Sequence, residues 1–113
     1  MTAGLQAMVK KMTTTFKIVI HDRFKTATRP NGVSARQFIL KKFEDYEKID
    51  LDFTNENPTP SFVDECIGLL ICELGWSEFK QRVQITNPSD SARSLIKLVI
   101  SRRKAQAMDT AHA

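Results

Sequence analysis

The sequence predicts an α/β fold, in which a small, mostly parallel or mixed sheet of three or four strands packs with three helices. Strand-like segments at 16–21, 49–53 and 82–87 are each followed by a longer segment with the helical spacing of apolar residues. Strands that alternate with helices in this way are typical of βαβ units, whose crossovers make neighbouring strands parallel.

The composition is that of one globular domain. The chain has 113 residues, of which 42% are hydrophobic and 27% charged, which suffices for a single core. We expect a flexible N-terminal extension at 1–15, one domain at 16–104 and a flexible tail at 105–113. No apolar run reaches the length of a bilayer span, and the first residues lack the apolar core of a secretory signal, so we predict a cytoplasmic protein without a membrane partner.

Charge is distributed unevenly along the chain, although the net charge is only +4. Residues 1–43 contain nine Lys or Arg and one acid, residues 44–78 contain one Lys and ten acids, and residues 79–113 contain seven Lys or Arg and two acids. This distribution favours attraction between segments inside the fold, or a polar face that a basic partner reads. Ordinary solvated charge is the simpler interpretation.

The first strand and its loop are defined by a change from apolar to polar residues. Residues 16–21 alternate at their start and then become fully apolar, as a central strand does. Residues 22–33 form a polar loop, or a short second strand near 23–27, and end at a Pro-Asn-Gly turn.

The first helix is predicted to begin at Ser34 and to run to about Tyr46. Ser34 and Gln37 have the spacing of a capping box, in which each side chain bonds the other residue's backbone N–H. Arg29 and this helix end at Ser34 form a candidate anion-binding or nucleotide-binding site, since helix-end amides and the helix dipole favour negative charge. A plain connecting loop is the alternative.

The second strand leads to the most apolar helix of the chain. Residues 49–53 alternate apolar and acidic side chains, which is a strand pattern. Ser61 is the predicted N-cap of the helix, with Asp64 three residues later, while Pro60 excludes an earlier start and Gly75 ends it. A helix this apolar must be covered on most sides.

The last part of the chain predicts a tight turn or short helical turn at 76–79 with Ser77 as its cap, a strand at 82–87 and a final helix. Ser89 or Asp90 caps that helix, whose apolar residues recur at helical spacing. Its outer side forms a candidate basic surface made of Arg93, Lys97, Arg102 and Arg103. Such a surface is typical of nucleic-acid binding, although no nucleic-acid motif accompanies it.

Three pieces of sequence carry a family resemblance. They are Arg29-Pro30-Asn31-Gly32-Val33-Ser34, Ile49-Asp50-Leu51-Asp52-Phe53, and Ser61-Phe62-Val63-Asp64-Glu65 followed by Gly68-Leu69-Leu70. With them, the run from 16 to 100 resembles the STAS-like family of bacterial domains of unknown function, which are relatives of the STAS anti-sigma-factor antagonists. The Asp-Ser-x-Gly turn of true STAS proteins is absent.

The resemblance implies a non-enzymatic regulatory module of bacterial or phage type that binds another protein, such as a histidine-kinase-type ATPase or a regulator acting in trans. It also implies a fold whose helices gather mainly on one face of the sheet. In STAS antagonists a hydroxyl at the loop-to-helix turn is phosphorylated, which makes Thr59, Ser61, Asp64 and Glu65 the candidate partner-binding or switch residues. Asp64 and Glu65 would repel a phosphate on Ser61.

The sequence contains no combination of residues typical of an enzyme. A nucleophile paired with a base, a metal-ligand cluster and a phosphate-binding glycine loop are all missing from the pattern. We therefore expect no catalytic residues, no metal and no cofactor, although Asp52, Asp64 and Glu65 would form a weak cation site if they cluster. Cys66 and Cys72 lie on one helix and are expected to be free thiols.

Overall fold

The computed structural model describes residues 14–112, with side chains as far as Ala107. Residues 1–13 of the predicted extension lie outside this range. We number the elements in chain order: β1 (Thr15–Val19), α1 (Ile20–Arg23), α2 (Arg29–Lys42), β2 (Lys48–Asp52), α3 (60–74), α4 (Trp76–Arg82), β3 (Val83–Thr86) and α5 (Asp90–His112). No helix within the described range is long and apolar enough to cross a membrane.

The three strands form one parallel sheet in the order β1-β2-β3. The prediction of a small α/β fold is therefore confirmed, and the described residues add two short helices to the three that were predicted. The extra strand proposed near 23–27 is wrong, because the chain turns into α1 directly after β1 and then runs without strand pairing to α2. The three predicted strands agree with β1, β2 and β3 to within one or two residues.

One face of the sheet carries the core and the other is polar. Ile18, Ile49 and Leu51 are fully buried on the first face, against α2 and α3. On the opposite face, exposed Lys17 and partly exposed Asp50 alternate with them along the strands. Because side chains alternate along a strand, the apolar ones point to one face, and the helices that share the core with them cover that face.

The N-cap of helix α2 lies six residues earlier than predicted. Thr28 is its N-cap, since the Thr28 hydroxyl accepts a hydrogen bond from Asn31 N at 3.3 Å, and Pro30 occupies the first turn. Proline fits there because the first helical amides have no partner inside the helix. Ser34 is therefore not a cap but an exposed residue inside the helix, which ends at Lys42 rather than Tyr46.

Helix α3 consists of three consecutive segments, Pro60–Val63, a π-helical turn at Asp64–Gly68, and Leu69–Leu74. Its N-cap is Thr59, whose hydroxyl accepts from Phe62 N at 3.2 Å. Ser61 was predicted as the cap, but it lies inside the first turn because Pro60 opens the helix instead of preceding it. Gly75 ends the helix with a φ of 85°, as predicted.

The remaining elements close the fold over α3. Gly75, not Ser77, precedes the first residue of α4, and no side chain caps that helix. Ser89 caps α5 by accepting a hydrogen bond from Ala92 N at 3.2 Å, as predicted. Helix α5 then continues to His112, through the segment that was predicted as a flexible tail.

Candidate functional site

An arginine of α5 holds the start of α3 through a two-point ion pair. Arg103 Nε donates to Asp64 Oδ1 at 2.8 Å, and Arg103 Nη2 donates to Asp64 Oδ2 at 2.7 Å. Both side chains are about three-quarters buried. The Arg103 guanidinium, together with Arg29, keeps the pKa of Asp64 below its usual range.

The neighbouring carboxylate, Glu65, binds two arginines of α2. Arg29 Nη1 lies 3.0 Å from Glu65 Oε1, and Arg36 Nη1 lies 3.0 Å from Glu65 Oε2. Arg36 Nη1 also donates to the backbone oxygen of Glu65 at 2.6 Å, and Arg36 Nε lies 3.3 Å from Glu73 Oε1. These contacts, with Arg29 first, keep the pKa of Glu65 below its ordinary value.

Two glycines make room for these ion pairs. A Cβ on Gly68 would lie 2.7 Å from Asp64 Oδ1 and 2.9 Å from Arg103 Cγ, so the glycine lets Arg103 cross the helix surface to its carboxylate. A Cβ on Gly32 would lie 2.8 Å from the backbone oxygen of Phe62, where α2 approaches α3. Gly32 and Gly68 therefore allow the close packing of helices on which these ion pairs depend.

The acid pair and Gly68 all lie in the π-helical turn. Leu69 N donates to Asp64 O, five residues back, so the turn holds one residue more than an α-helical turn. The regular 3.6-residue spacing used to interpret the sequence does not hold across this turn. Helical periodicity consequently does not predict which helix each acid faces.

Ion pairs connect the three differently charged parts of the chain. Arg29 and Arg36 belong to the basic residues 1–43, Asp64 and Glu65 to the acidic residues 44–78, and Arg103 to the basic residues 79–113. Of the interpretations offered for the uneven charge, attraction between segments inside the fold is the one that these ion pairs support. Arg36 was not among the predicted site residues. The uneven charge along the chain is the sequence signal that could have identified it.

A groove of about 480 Å³ lies between the first turn of α3 and one side of α5. Its apolar wall contains Leu98, the one large hydrophobic residue that is markedly exposed among residues 14–107, at 48%. The full lining, which we call the α3–α5 groove, consists of Arg29, Pro60, Ser61, Asp64, Leu95, Leu98, Val99, Arg102, Arg103 and Gln106. Residues from all three predicted sites therefore meet in one place.

The remaining predicted site residues lie outside this groove. Arg93 and Lys97 line a second groove of about 520 Å³, between α5 and the end of β3, so the predicted basic surface is divided between two sides of the helix. Thr59 caps α3, and its hydroxyl also donates to Thr26 O at 3.3 Å. Ser34 lies inside α2, so the helix end that was meant to hold an anion is at Thr28, and Arg29 is already bound to carboxylates.

Asp52 does not join Asp64 and Glu65. Asp52 Oδ1 accepts from the Thr54 hydroxyl at 2.6 Å and from Asn87 Nδ2 at 3.2 Å, and these bonds, Thr54 first, lower its pKa. Across the described range, no three His, Cys, Asp or Glu side chains lie close enough together to hold a metal ion. The cation site suggested for these three acids is therefore not formed.

The two cysteines are free thiols in different environments. Cys66 is fully buried in the core, and burial raises the pKa of its thiol to about 12. Cys72 is exposed on the last segment of α3. A thiol that stays protonated is a poor nucleophile, so Cys66 is a packing residue.

The fold and the groove together define a small α/β protein with a three-stranded parallel sheet and a partly cationic groove between two helices. Comparison of the chain with protein-family models, with curated proteins and with solved structures finds no match.

Proposed function

We propose that this chain is a non-enzymatic regulatory module of the STAS-like kind, and that it binds a partner protein in the α3–α5 groove. The observation that carries the proposal is the exposure of Leu98 beside Ser61, in a groove with arginines at its rim. An exposed large apolar residue in a concave site is typical of a binding surface.

The groove is held in shape before a partner arrives. Its two walls, α3 and α5, are joined by the Asp64–Arg103 pair, and Arg29 on α2 bridges Asp64 and Glu65. A preformed site loses less conformational entropy on binding. These ion pairs therefore hold the groove in its binding shape, and they do not have to break when a partner binds.

The charge of the groove indicates the chemistry of the partner. Arg29, Arg102 and Arg103 face a single lining acid, Asp64. Arg102 is exposed and forms no ion pair with any residue of the described range. A protein segment with an apolar side chain to cover Leu98, and with a carboxylate beside it to meet Arg102, fits this surface.

The groove also changes what a charge at Ser61 would do. The sequence suggested that Asp64 and Glu65 would repel a phosphate there, but both carboxylates are paired with arginines. An anionic group on Ser61 would instead compete with the partner's carboxylate for Arg102. Ser61→Asp is therefore expected to prevent partner binding, and Ser61→Ala to retain it.

Quantitative affinity capture with matched variants tests the proposal. Wild type, Leu98→Asp, Arg102→Asp and the control Lys97→Asp are used as bait, and each captured protein is then purified and its binding measured. Arg102 and Lys97 are both exposed cations of α5, but they line different grooves. A partner lost by Leu98→Asp and Arg102→Asp and retained by Lys97→Asp supports the proposal, whereas partners that all variants bind equally contradict it.

A further inference from the structure

Among residues 14–112, the outer edge of the sheet at β1 is open. The sheet ends at β1, and no segment of the described range pairs with the side of β1 that faces away from β2. The backbone oxygen of Thr14 accepts from Lys48 N of β2 at 3.2 Å, so Thr14, Phe16 and Ile18 direct their backbone groups toward β2. Because backbone direction alternates along a strand, the N–H groups of Thr15, Lys17 and Val19 and the C=O groups of Thr15 and Lys17 point outward. The C=O of Val19, the N-cap of α1, accepts the first bond of that helix instead.

Two cations lie over aromatic rings beside this edge. Arg23 Cζ is 4.7 Å from the ring centre of Phe38 and 5.8 Å from that of Phe16. Lys42 Nζ is 4.8 Å from the ring centre of Phe16 and 5.3 Å from that of Phe38. Both cations therefore share one pair of rings, which holds them in place.

These cations have no carboxylate partner within the described range, unlike the arginines of the α2–α3 contact. Arg29 and Arg36 both bind Glu65, whereas Arg23 and Lys42 contact only the rings. Cation–π contacts position a charge without neutralising it. Within the described range, the edge of β1 thus combines backbone donors and acceptors that have no partner with two positioned positive charges.

We propose that an extended, acidic protein segment binds here by adding a strand to β1. Its backbone would bond the outward groups of Thr15, Lys17 and Val19. Side chains on its helix-facing side would lie next to Phe16, where a carboxylate meets Arg23 and Lys42. Strand addition of this kind takes affinity from the backbone and specificity from alternate side chains. This surface is separate from the α3–α5 groove and does not depend on the function proposed for it.

A peptide of about seven residues with alternating Glu and Val, long enough to pair with a strand of ordinary length, is the probe. Binding to the full chain is measured by fluorescence anisotropy, with the corresponding Lys and Val peptide as the comparison. We expect the Glu peptide to bind and the Lys peptide to bind at least about tenfold more weakly. Amide exchange of Thr15, Lys17 and Val19 should slow in the complex.

Two kinds of variant separate backbone pairing from charge. Lys17→Pro removes an outward N–H without removing a β1–β2 bond, and should abolish binding of the Glu peptide. Lys17→Gln removes the same charge, which pairs with Asp52 at 3.3 Å, but keeps the N–H, and should retain binding. Arg23→Gln with Lys42→Gln should weaken binding about tenfold, whereas the control Lys80→Gln with Lys97→Gln removes two exposed charges elsewhere and should not. If Lys17→Pro does not fold, the proposal is tested by peptide binding to the double-glutamine variants and by amide exchange at the outward groups of β1.

Three results with the peptides would overturn the proposal. They are failure of the Glu peptide to bind, equal binding of both peptides, and equal binding by the two double-glutamine variants. A single-stranded oligonucleotide that binds through Arg23 and Lys42 without slowing exchange at Thr15, Lys17 and Val19 would also overturn strand addition, and would make the edge a polyanion site instead.

Discussion

Arg103 bonds Asp64 across 39 positions of sequence, through two hydrogen bonds of 2.8 and 2.7 Å. The pair joins the last helix to the first turns of the central helix, and Gly68 is the residue that lets it form. Because Arg29 also reaches Asp64, three helices meet at one carboxylate. The shape of the α3–α5 groove therefore depends on a single acidic side chain.

Asp64→Asn is expected to lower the free energy of unfolding by about 1–3 kcal/mol, since it leaves a partly buried arginine without its charged partner. Arg103→Gln should cost a similar amount, and the double variant less than the sum of the two. Urea denaturation of the four proteins forms a double-mutant cycle. Arg102→Gln, one residue away and unpaired, is the control, and additive losses would argue against a direct interaction.

Stability should fall in acid. The pKa values of Asp52, Asp64 and Glu65 are all lowered in the folded state, so their stabilisation is complete above their ordinary values and is lost as the pH falls toward the folded ones. We expect the urea midpoint to be constant above about pH 5 and to decline below about pH 4. Asp64→Asn should have a shallower decline than wild type, and parallel curves would exclude Asp64 as a contributor.

The helix glycines should tolerate alanine unequally. Gly32→Ala places a Cβ 2.8 Å from a backbone oxygen, which cannot move aside, and should destabilise by about 1–3 kcal/mol despite the better helix propensity of alanine. Gly68→Ala meets only side chains, among them those of Arg103 and Asp64, which can shift while keeping part of their ion pair, so its cost should be smaller. Thermal unfolding of both variants tests this order, and a more stable Gly32→Ala would refute the close approach of α2 to α3.

The helix caps can be distinguished by alanine substitution. Thr28→Ala and Thr59→Ala should each cost about 1 kcal/mol, because each removes the acceptor of a first-turn amide. Ser34→Ala and Ser61→Ala are the controls, and should change the free energy of unfolding by less than about 0.5 kcal/mol. If chemical denaturation showed larger losses of stability for the serine variants than for the threonine variants, the helices would instead begin where the serines predict.

The sequence located the strands and the central helix, because their burial leaves period-two and near-continuous apolar patterns that depend only on local spacing. It misplaced two helix starts for a local reason. Ser34 and Ser61 fit cap patterns, but Thr28 and Thr59 stand before the prolines Pro30 and Pro60, and proline favours the first turn of a helix over the position before it.

The contacts of the site were harder to predict than its residues. Arg29, Ser61, Asp64, Arg102 and Arg103 were all singled out, yet they were assigned to three different sites. Pairings across 35 to 39 positions depend on how α2, α3 and α5 pack, and the π-helical turn changes the direction of side chains beyond Asp64. Only the uneven charge along the chain indicated that these segments attract each other.

The two thiols of α3 provide a built-in reporter of motion. Cys72 is open to a labelling reagent in the native state, while Cys66, six residues earlier on the same helix, reacts only when the core opens. The extent of Cys72 modification therefore reports the amount of protein, and the rate of Cys66 modification reports how often the core opens. Mass spectrometry of one labelled sample would yield both numbers, so the lifetime of the closed core can be followed in an unmutated chain without any added probe.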